Sequence, residues 1–445
     1  MSIKTSFGHI FRISLPIMIG SAAQNAIVLC DNIFLYHYNS IDFAAIGLIG
    51  AFYLIVIAIG YGFSRGGQIL IARKFGEKQY YKIGSYFQSL IFYELFMALV
   101  IFLLIHFFSV PFFSMLINDP EILKLCISYI TLRSYGLFFS FVGVSIIAMY
   151  TGIAKTKFIV IDTAILTISN VVLNYVLIYG HLGFEPMGIK GAAIASTLSE
   201  VIAFIAFILY MIYDKSNRKF HLLSLNKLEF SLFKDCFSIS FPIVAQSFLG
   251  LGAYFLFFTW IENNSASDLQ ISNLIRNVYL ILSIPTWGFS TGINTMVSLF
   301  IGGQKRQAVI PITNKTNMLN VAATLIIALP ILIFPQIFLY PLYGGSNDGL
   351  IEMSKGLLLM LNLILLFFGV GSIYLNGIIG TGHTKTALII QALGTLLYLI
   401  YEYIVLKVYK LNLYWAWSGE FVYWGFILIM SVIYLKSRKW HFRKF

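Results

Sequence analysis

Charge is scarce in this chain. Only 11% of its 445 residues are Asp, Glu, Lys or Arg, against roughly 25% in a soluble domain. Hydrophobic residues make up 59%, and mean hydropathy is +0.85. No water-soluble fold can hide that much apolar surface; a bilayer has no need to. Cysteine is rare as well. Cys30, Cys126 and Cys236 are far apart and form no CxxC pair, which speaks against a disulfide framework and a thiolate metal centre. The GxxxxGK[ST] phosphate loop is missing, so ATP does not drive this protein directly. There is no HExxH, and the seven histidines are scattered without metal-ligand spacing. These gaps exclude the common enzyme classes and a resident cofactor.

What is present is a succession of apolar runs long enough to cross the hydrocarbon core. They cover residues 11–36, 44–74, 82–107, 121–152, 157–180, 188–212, 232–260, 268–301, 315–335, 352–382, 385–409 and 414–436. The first is long, holds polar residues and lacks a small-residue cleavage signal, so it reads as a retained helix. Aromatic residues, 17% of the chain, suit lipid-facing and interfacial positions. The net charge of +12 has a topological explanation and does not call for nucleic acid. Basic residues crowd into alternate loops, such as Arg73, Lys74, Lys78 and Lys82, or Lys215, Arg218, Lys219 and Lys227. The opposite loops hold only Lys124, Lys190, Lys355, Lys407 and Lys410. That bias predicts a multi-pass protein of the inner or plasma membrane with both termini cytoplasmic.

The chain repeats itself. Ile13-Ser14-Leu15-Pro16 returns as Ile239-Ser240-Phe241-Pro242, a shift of 226. The same shift carries Asp42 onto Asp268, Gly62-Phe63-Ser64 onto Gly288-Phe289-Ser290, Gly66 onto Gly292 and Gly76 onto Gly302. Later, Thr151-Gly152 and Lys155-Thr156 match Thr381-Gly382 and Lys385-Thr386 at a shift of 230. Six spans separate the copies, so both enter the membrane from the same side and the repeat is parallel. The expected fold is an all-α integral membrane protein. It has twelve transmembrane helices in two pseudo-symmetric six-helix bundles around a central cleft. The expected lobes are residues 1–212 and 232–445, joined by a cytoplasmic linker over 213–231.

Ionisable residues inside a membrane are costly and are functional candidates by default. Asp31, Asn170, Asn174 and Ser196 come from three spans. At 1.5 Å of rise per residue, Asp31, Asn174 and Ser196 fall about 7–12 Å below the outer face. Asn170 is one turn deeper than Asn174 on the same face. A carboxylate in a low-dielectric cavity can take up a proton. With amide oxygens from Asn170 and Asn174 beside it, Asp31 also suits a hard cation such as Na+. Glu200 follows Ser196 by one turn and is a candidate second proton carrier or substrate-cavity contact, with pairing to an intramembrane arginine as the alternative. Glu94, Glu402 and Glu420 are further candidates. Arg133 and Arg276 read as pairing partners, and Arg65 can snorkel.

The pattern resembles the multidrug and toxic compound extrusion (MATE) family over nearly the whole chain. The resemblance rests on Leu15-Pro16, Gln24 and Asp31-Asn32-Ile33-Phe34. It continues through Gly66-Gly67-Gln68 with Ala72-Arg73 and Gly76, then Asn170 to Asn174 with Ile178-Tyr179-Gly180. Gly188, Gly191-Ala192-Ala193 with Ala195-Ser196, and Gly380-Thr381-Gly382 before Lys385-Thr386 complete it. It implies a secondary antiporter, a monomer that exports small organic cations and drugs in exchange for H+ or Na+. It places Asp31, Asn170 and Asn174 at cation-ligand positions, Ser196 at a hydroxyl position there, and Gln24 in the cavity wall. The alternative within the wider superfamily is a flippase for lipid-linked oligosaccharide or peptidoglycan precursors, which Arg65, Arg133 and Arg276 would favour and the Asp31 group disfavours. One branch of the family also has acids on the seventh and tenth spans. Here Gly250 stands eight residues after Pro242, and 352–382 has no acid beyond Glu352. Asp31 maps onto Phe257, so ion coupling is expected in the N-terminal half alone.

Overall fold

The computed structural model describes residues 5–222, 230–262, 266–334, 336–337 and 348–442. It is all-α, with twelve spans in two repeated sets. The first set is α1 (Phe7–Tyr38), α2 (Ser40–Gly76), α3 (Tyr80–Ser114), α4 (Pro120–Gly152), α5 (Lys157–Tyr179) and α6 (Gly188–Tyr213). The second is α7 (Phe230–Glu262), α8 (Ala266–Leu282) with α9 (Ile284–Gly302), α10 (Val309–Ile333), α11 (Asp348–Gly380), α12 (Thr384–Tyr403) and α13 (Leu413–Lys436). Among the described residues, nine helices are long and apolar enough to cross a membrane by themselves. At 37 residues, α2 is about 55 Å long, which exceeds a hydrocarbon core of about 30 Å and calls for tilt or projection into the headgroups.

Local chemistry sets the breaks. Asn39 is extended and its side chain accepts from Ile41 N at 2.9 Å, capping α2. Asp119 accepts from Glu121 N and Ile122 N ahead of Pro120 and so starts α4, as a side-chain acceptor and an N-terminal proline should. The stretch 268–301, expected as one span, is two helices. Pro285 has no N–H to continue α8, and Ser283 Oγ donates back to Tyr279 O at 2.6 Å.

The chain divides into two compact units, Ile19–Val244 and Met1–Met18 with Ala245–Phe445. The cuts fall inside α1 and α7, two residues beyond Pro16 and Pro242, and they too are 226 residues apart. The start of α1 thus belongs with the second set of helices, and the start of α7 with the first. Glycines make both joins. A Cβ on Gly66 would overlap Ser240 Oγ and lie 2.8 Å from Ser240 Cα, and one on Gly62 would lie 2.6 Å from Val244 Cγ2. In the other unit a Cβ on Gly292 would overlap Ser14 Oγ, and one on Gly288 would lie 3.1 Å from Met18 Cβ. These are two copies of a small-xxx-small surface, which in membranes lets backbones approach closely. Both copies, Gly62 to Gly66 and Gly288 to Gly292, also spell the GxSxG string of hydrolases. Here the string lies inside α2 and α9, without the strand and sharp turn that would expose a nucleophile.

Each unit has its own core. Leu35, Ile49, Ile130, Phe141 and Ala193 pack in the first; Phe257, Leu274, Leu361 and Trp417 pack in the second. Outward, Phe107, Ile168, Ile326 and Leu359 are each more than 60% exposed, which suits contact with lipid tails. In the second unit α9 and α11 are stitched by a polar ladder. Ser290 pairs with Ser372 at 2.9 Å, Asn294 Nδ2 donates to Asn376 Oδ1 at 3.1 Å, and Ser298 Oγ donates to Gly380 O at 2.7 Å. The rungs are one helical turn apart, so a single register satisfies all three.

Candidate ion-coupling site

Asp31 on α1, Asn170 and Asn174 on α5, and Ser196 on α6 lie in the first unit, and all four are buried. They close a ring of hydrogen bonds. Asn174 Nδ2 donates to Asp31 Oδ1 in a short bond and to Asn170 Oδ1 at 3.1 Å. Asn170 Nδ2 donates to Ser196 Oγ at 3.0 Å, and Ser196 Oγ donates to Asp31 Oδ2 at 3.2 Å. Each carboxylate oxygen therefore receives a donor. The spacing of four between the asparagines puts both amides on one face of α5. One atom stays without a partner, the buried Asn174 Oδ1.

The frame around the ring is specific. Tyr179 Oη donates to Phe34 O at 2.9 Å and ties the end of α5 to α1 one turn beyond Asp31. Gly180 ends α5 with φ +77°, a left-handed cap. At the start of α6, Ile189 N donates to Asp42 Oδ2 at 2.9 Å. Gly188 has φ +53°, and a Cβ there would overlap the same Asp42 oxygen. So Asp42 of α2 fixes where α6 begins, and Ser196 follows two turns later. Sequence reasoning did not single out Asp42 for this. Its signal was the repeat, which carries it onto Asp268.

Glu200 sits one turn beyond Ser196 but bonds elsewhere. Arg133 of α4 donates from Nη2 to Glu200 Oε1 at 2.8 Å and from Nη1 to Oε2 at 3.1 Å. The guanidinium lies 4.3 Å from the centre of the Tyr53 ring and within electrostatic reach of Asp31. Glu94 accepts from Ser64 Oγ at 2.9 Å, away from the ring. Gln24 stands on α1, and its side chain lies outside the described residues.

Nine helices long and apolar enough to cross a bilayer, among the described residues, make this a multi-pass membrane protein. The MatE family model matches residues 16–176 and again 242–404, one copy in each half, and the chain belongs to the MATE family of transporters. It is 24% identical over 444 residues to a probable multidrug resistance protein NorM of Thermotoga maritima, covering 98% of this chain and 93% of the relative. A NorM relative from Synechocystis sp. is 23% identical over 443 residues, covering 97% and 93%. Among solved structures, an outward-facing multidrug resistance MATE transporter of the MOP superfamily superposes with a TM-score of 0.85 at 18% identity, over 97% of this chain and 95% of that one. A eukaryotic MATE transporter gives 0.86 at 14%, over 98% and 96%. At such identity the superpositions speak for the fold.

Proposed function

We propose that the protein is a secondary antiporter that exports organic cations and drugs in exchange for H+ or Na+, with Asp31 as the coupling carboxylate. The closed ring around Asp31, with its one orphaned oxygen, carries this reading. A proton on Asp31 would turn one of its oxygens from an acceptor into a donor. A sodium ion would take oxygens from Asp31, Asn170 and Asn174, and Asn174 Oδ1 is the buried acceptor left without a donor. Hard cations favour such oxygen sets. The substrate class follows the curated relatives, which are named as multidrug resistance proteins. Those names and the acidic ring favour this reading over a flippase. The protein acts as a monomer in the inner or plasma membrane, with both termini in the cytoplasm.

The test is uptake of a fluorescent organic cation into proteoliposomes under an imposed pH or sodium gradient. Asp31→Asn should abolish gradient-driven transport while leaving the melting temperature near that of the parent. Undiminished coupling in that variant would overturn the assignment.

A further inference from the structure

The repeat puts Phe257 where the first half has Asp31. That ring is fully buried, edge-on to Trp417 at 5.5 Å and 6.1 Å from the Tyr398 ring. Acidic chemistry in this unit sits on the next helices instead. Glu402 of α12 is 0% exposed, and neither of its carboxylate oxygens has a hydrogen-bond partner. It lies against bare backbone of α13. A Cβ on Gly419 would overlap Glu402 Oε1 and come within 3.2 Å of Tyr398 Cε2. Beside Gly419 is Glu420, 7% exposed, which accepts from Trp424 Nε1 at 3.0 Å. The two carboxylates are within electrostatic reach of each other.

The surroundings point to a ligand. Tyr398, one turn before Glu402 on the same face, is 3% exposed, and its hydroxyl has no partner. The buried Tyr254 hydroxyl of α7 has none either. Titratable and charged groups face the pair from each helix around it. They are Tyr254 of α7, Tyr279 of α8, Tyr398 of α12 and Tyr423 of α13, with Arg276 of α8 within reach of Tyr254. From α11 the contacts are apolar, with Phe367 and Phe368 against Phe421 and Trp424. The Arg276 guanidinium stands 5.1 Å from the Phe258 ring and forms no ion pair with either acid among the described residues. Just after Glu402, α12 widens into a π-helical turn, Ile404–Val408, a feature common at functional sites.

Two neighbouring carboxylates in a membrane interior cannot both stay charged without a partner, because each loses its hydration and the like charges repel. Glu420 has a donor in Trp424. Glu402 has none. We propose that Glu402 and Glu420 form a second proton-exchange site, in the unit that does not hold the Asp31 ring. Glu402 is the group that takes up and releases the proton, and Glu420 is the neighbouring charge that favours the proton on it. The site goes beyond the antiport reading and is measurable without transport.

The experiment is infrared difference spectroscopy of the full-length protein in lipid vesicles across a pH titration, following the carbonyl stretch of protonated carboxyl groups. One such band should persist in Asp31→Asn and vanish in Glu402→Gln. In Glu420→Gln it should remain, but disappear at a different pH from the parent. Tyr398→Phe should shift its frequency, a readout that holds even if Glu402→Gln folds poorly. A band unchanged in both Glu402→Gln and Tyr398→Phe would overturn the proposal. So would loss of the band on adding sodium at fixed pH, which would make the ligand a metal cation. Because Asp31→Asn is read separately, failure here leaves the Asp31 assignment standing, and the converse holds.

Discussion

Arg133 holds Glu200 in a two-pronged ion pair, 2.8 Å and 3.1 Å long, with side chains only 7% and 14% exposed. Removing one partner strands a buried charge, which costs about 3–5 kcal/mol. Removing both leaves none. Glu200→Gln should therefore lower the melting temperature sharply, and Arg133→Met/Glu200→Met should recover most of the loss. Cys126 is fully buried in the same unit, so a thiol-reactive dye reports this melt once the half-buried Cys30 is replaced by serine. If the double variant melts as low as the single one, the pair is not the source of the stability.

Within the ring around Asp31, Asn174 and Ser196 do unequal work. Asn174 donates to both Asp31 and Asn170, whereas Ser196 gives Asp31 its longer bond. A hydrogen bond to a charged group contributes about 1.5–3 kcal/mol. Asn174→Ala, which removes the orphaned Oδ1 as well as a donor, should raise the half-saturating sodium concentration by about ten- to a hundredfold, with a smaller rise for Ser196→Ala. Gradient-driven uptake titrated with Na+ checks the order. Equal effects would mean that the ring does not set the affinity.

The ring was legible in the sequence because helical periodicity and depth place Asp31, Asn174 and Ser196 in one layer before any contact is known. The twelve spans were legible for the same reason, since hydropathy is a one-dimensional signal. Pairing across helices was not. Glu200 could have faced a cavity or an arginine, and only the packing of α4 against α6 decides that it meets Arg133. The break at Ser283 was hidden because Pro285 can kink a helix or start one. The unit boundary at Met18 and Val244 was beyond reach, because no local pattern says which bundle the start of α1 joins. Gly292 and Gly66 were visible as a repeat, but what they receive was not.

That exchange of helix starts makes a prediction with an internal control. Gly66→Ala and Gly292→Ala should each destabilise by about 1–3 kcal/mol through overpacking. Opposite Gly292 the obstacles are Ser14 Oγ and Cβ, with Cα 3.7 Å away, so Ser14→Gly should restore the stability of Gly292→Ala almost fully. Opposite Gly66 the Ser240 backbone itself stands 2.8 Å from the new Cβ, so Ser240→Gly should rescue Gly66→Ala only in part. Thermal melts of the four single and two double variants decide it. Equal rescue on both sides would contradict this packing.

Asp42 tests whether a helix start far from the ring tunes it. The carboxylate takes the first free N–H of α6 from Ile189 and is 6% exposed, so Asp42→Ala should cost about 0.5–2 kcal/mol as the loss of a cap. Asp42→Asn keeps an acceptor oxygen and should cost less. A helix N-terminus also favours negative charge, which leaves a residual loss even in that variant. Ser196 lies two turns along the same helix and reaches Asp31 Oδ2 over 3.2 Å, so a start that slips lengthens that bond. Asp42→Ala should then shift the apparent affinity for the coupling cation as well as weaken the fold, and Asp42→Asn should preserve both more nearly. A lower melting temperature with unchanged cation dependence would confine Asp42 to holding α6 in place and remove it from the chain of contacts that positions the ring.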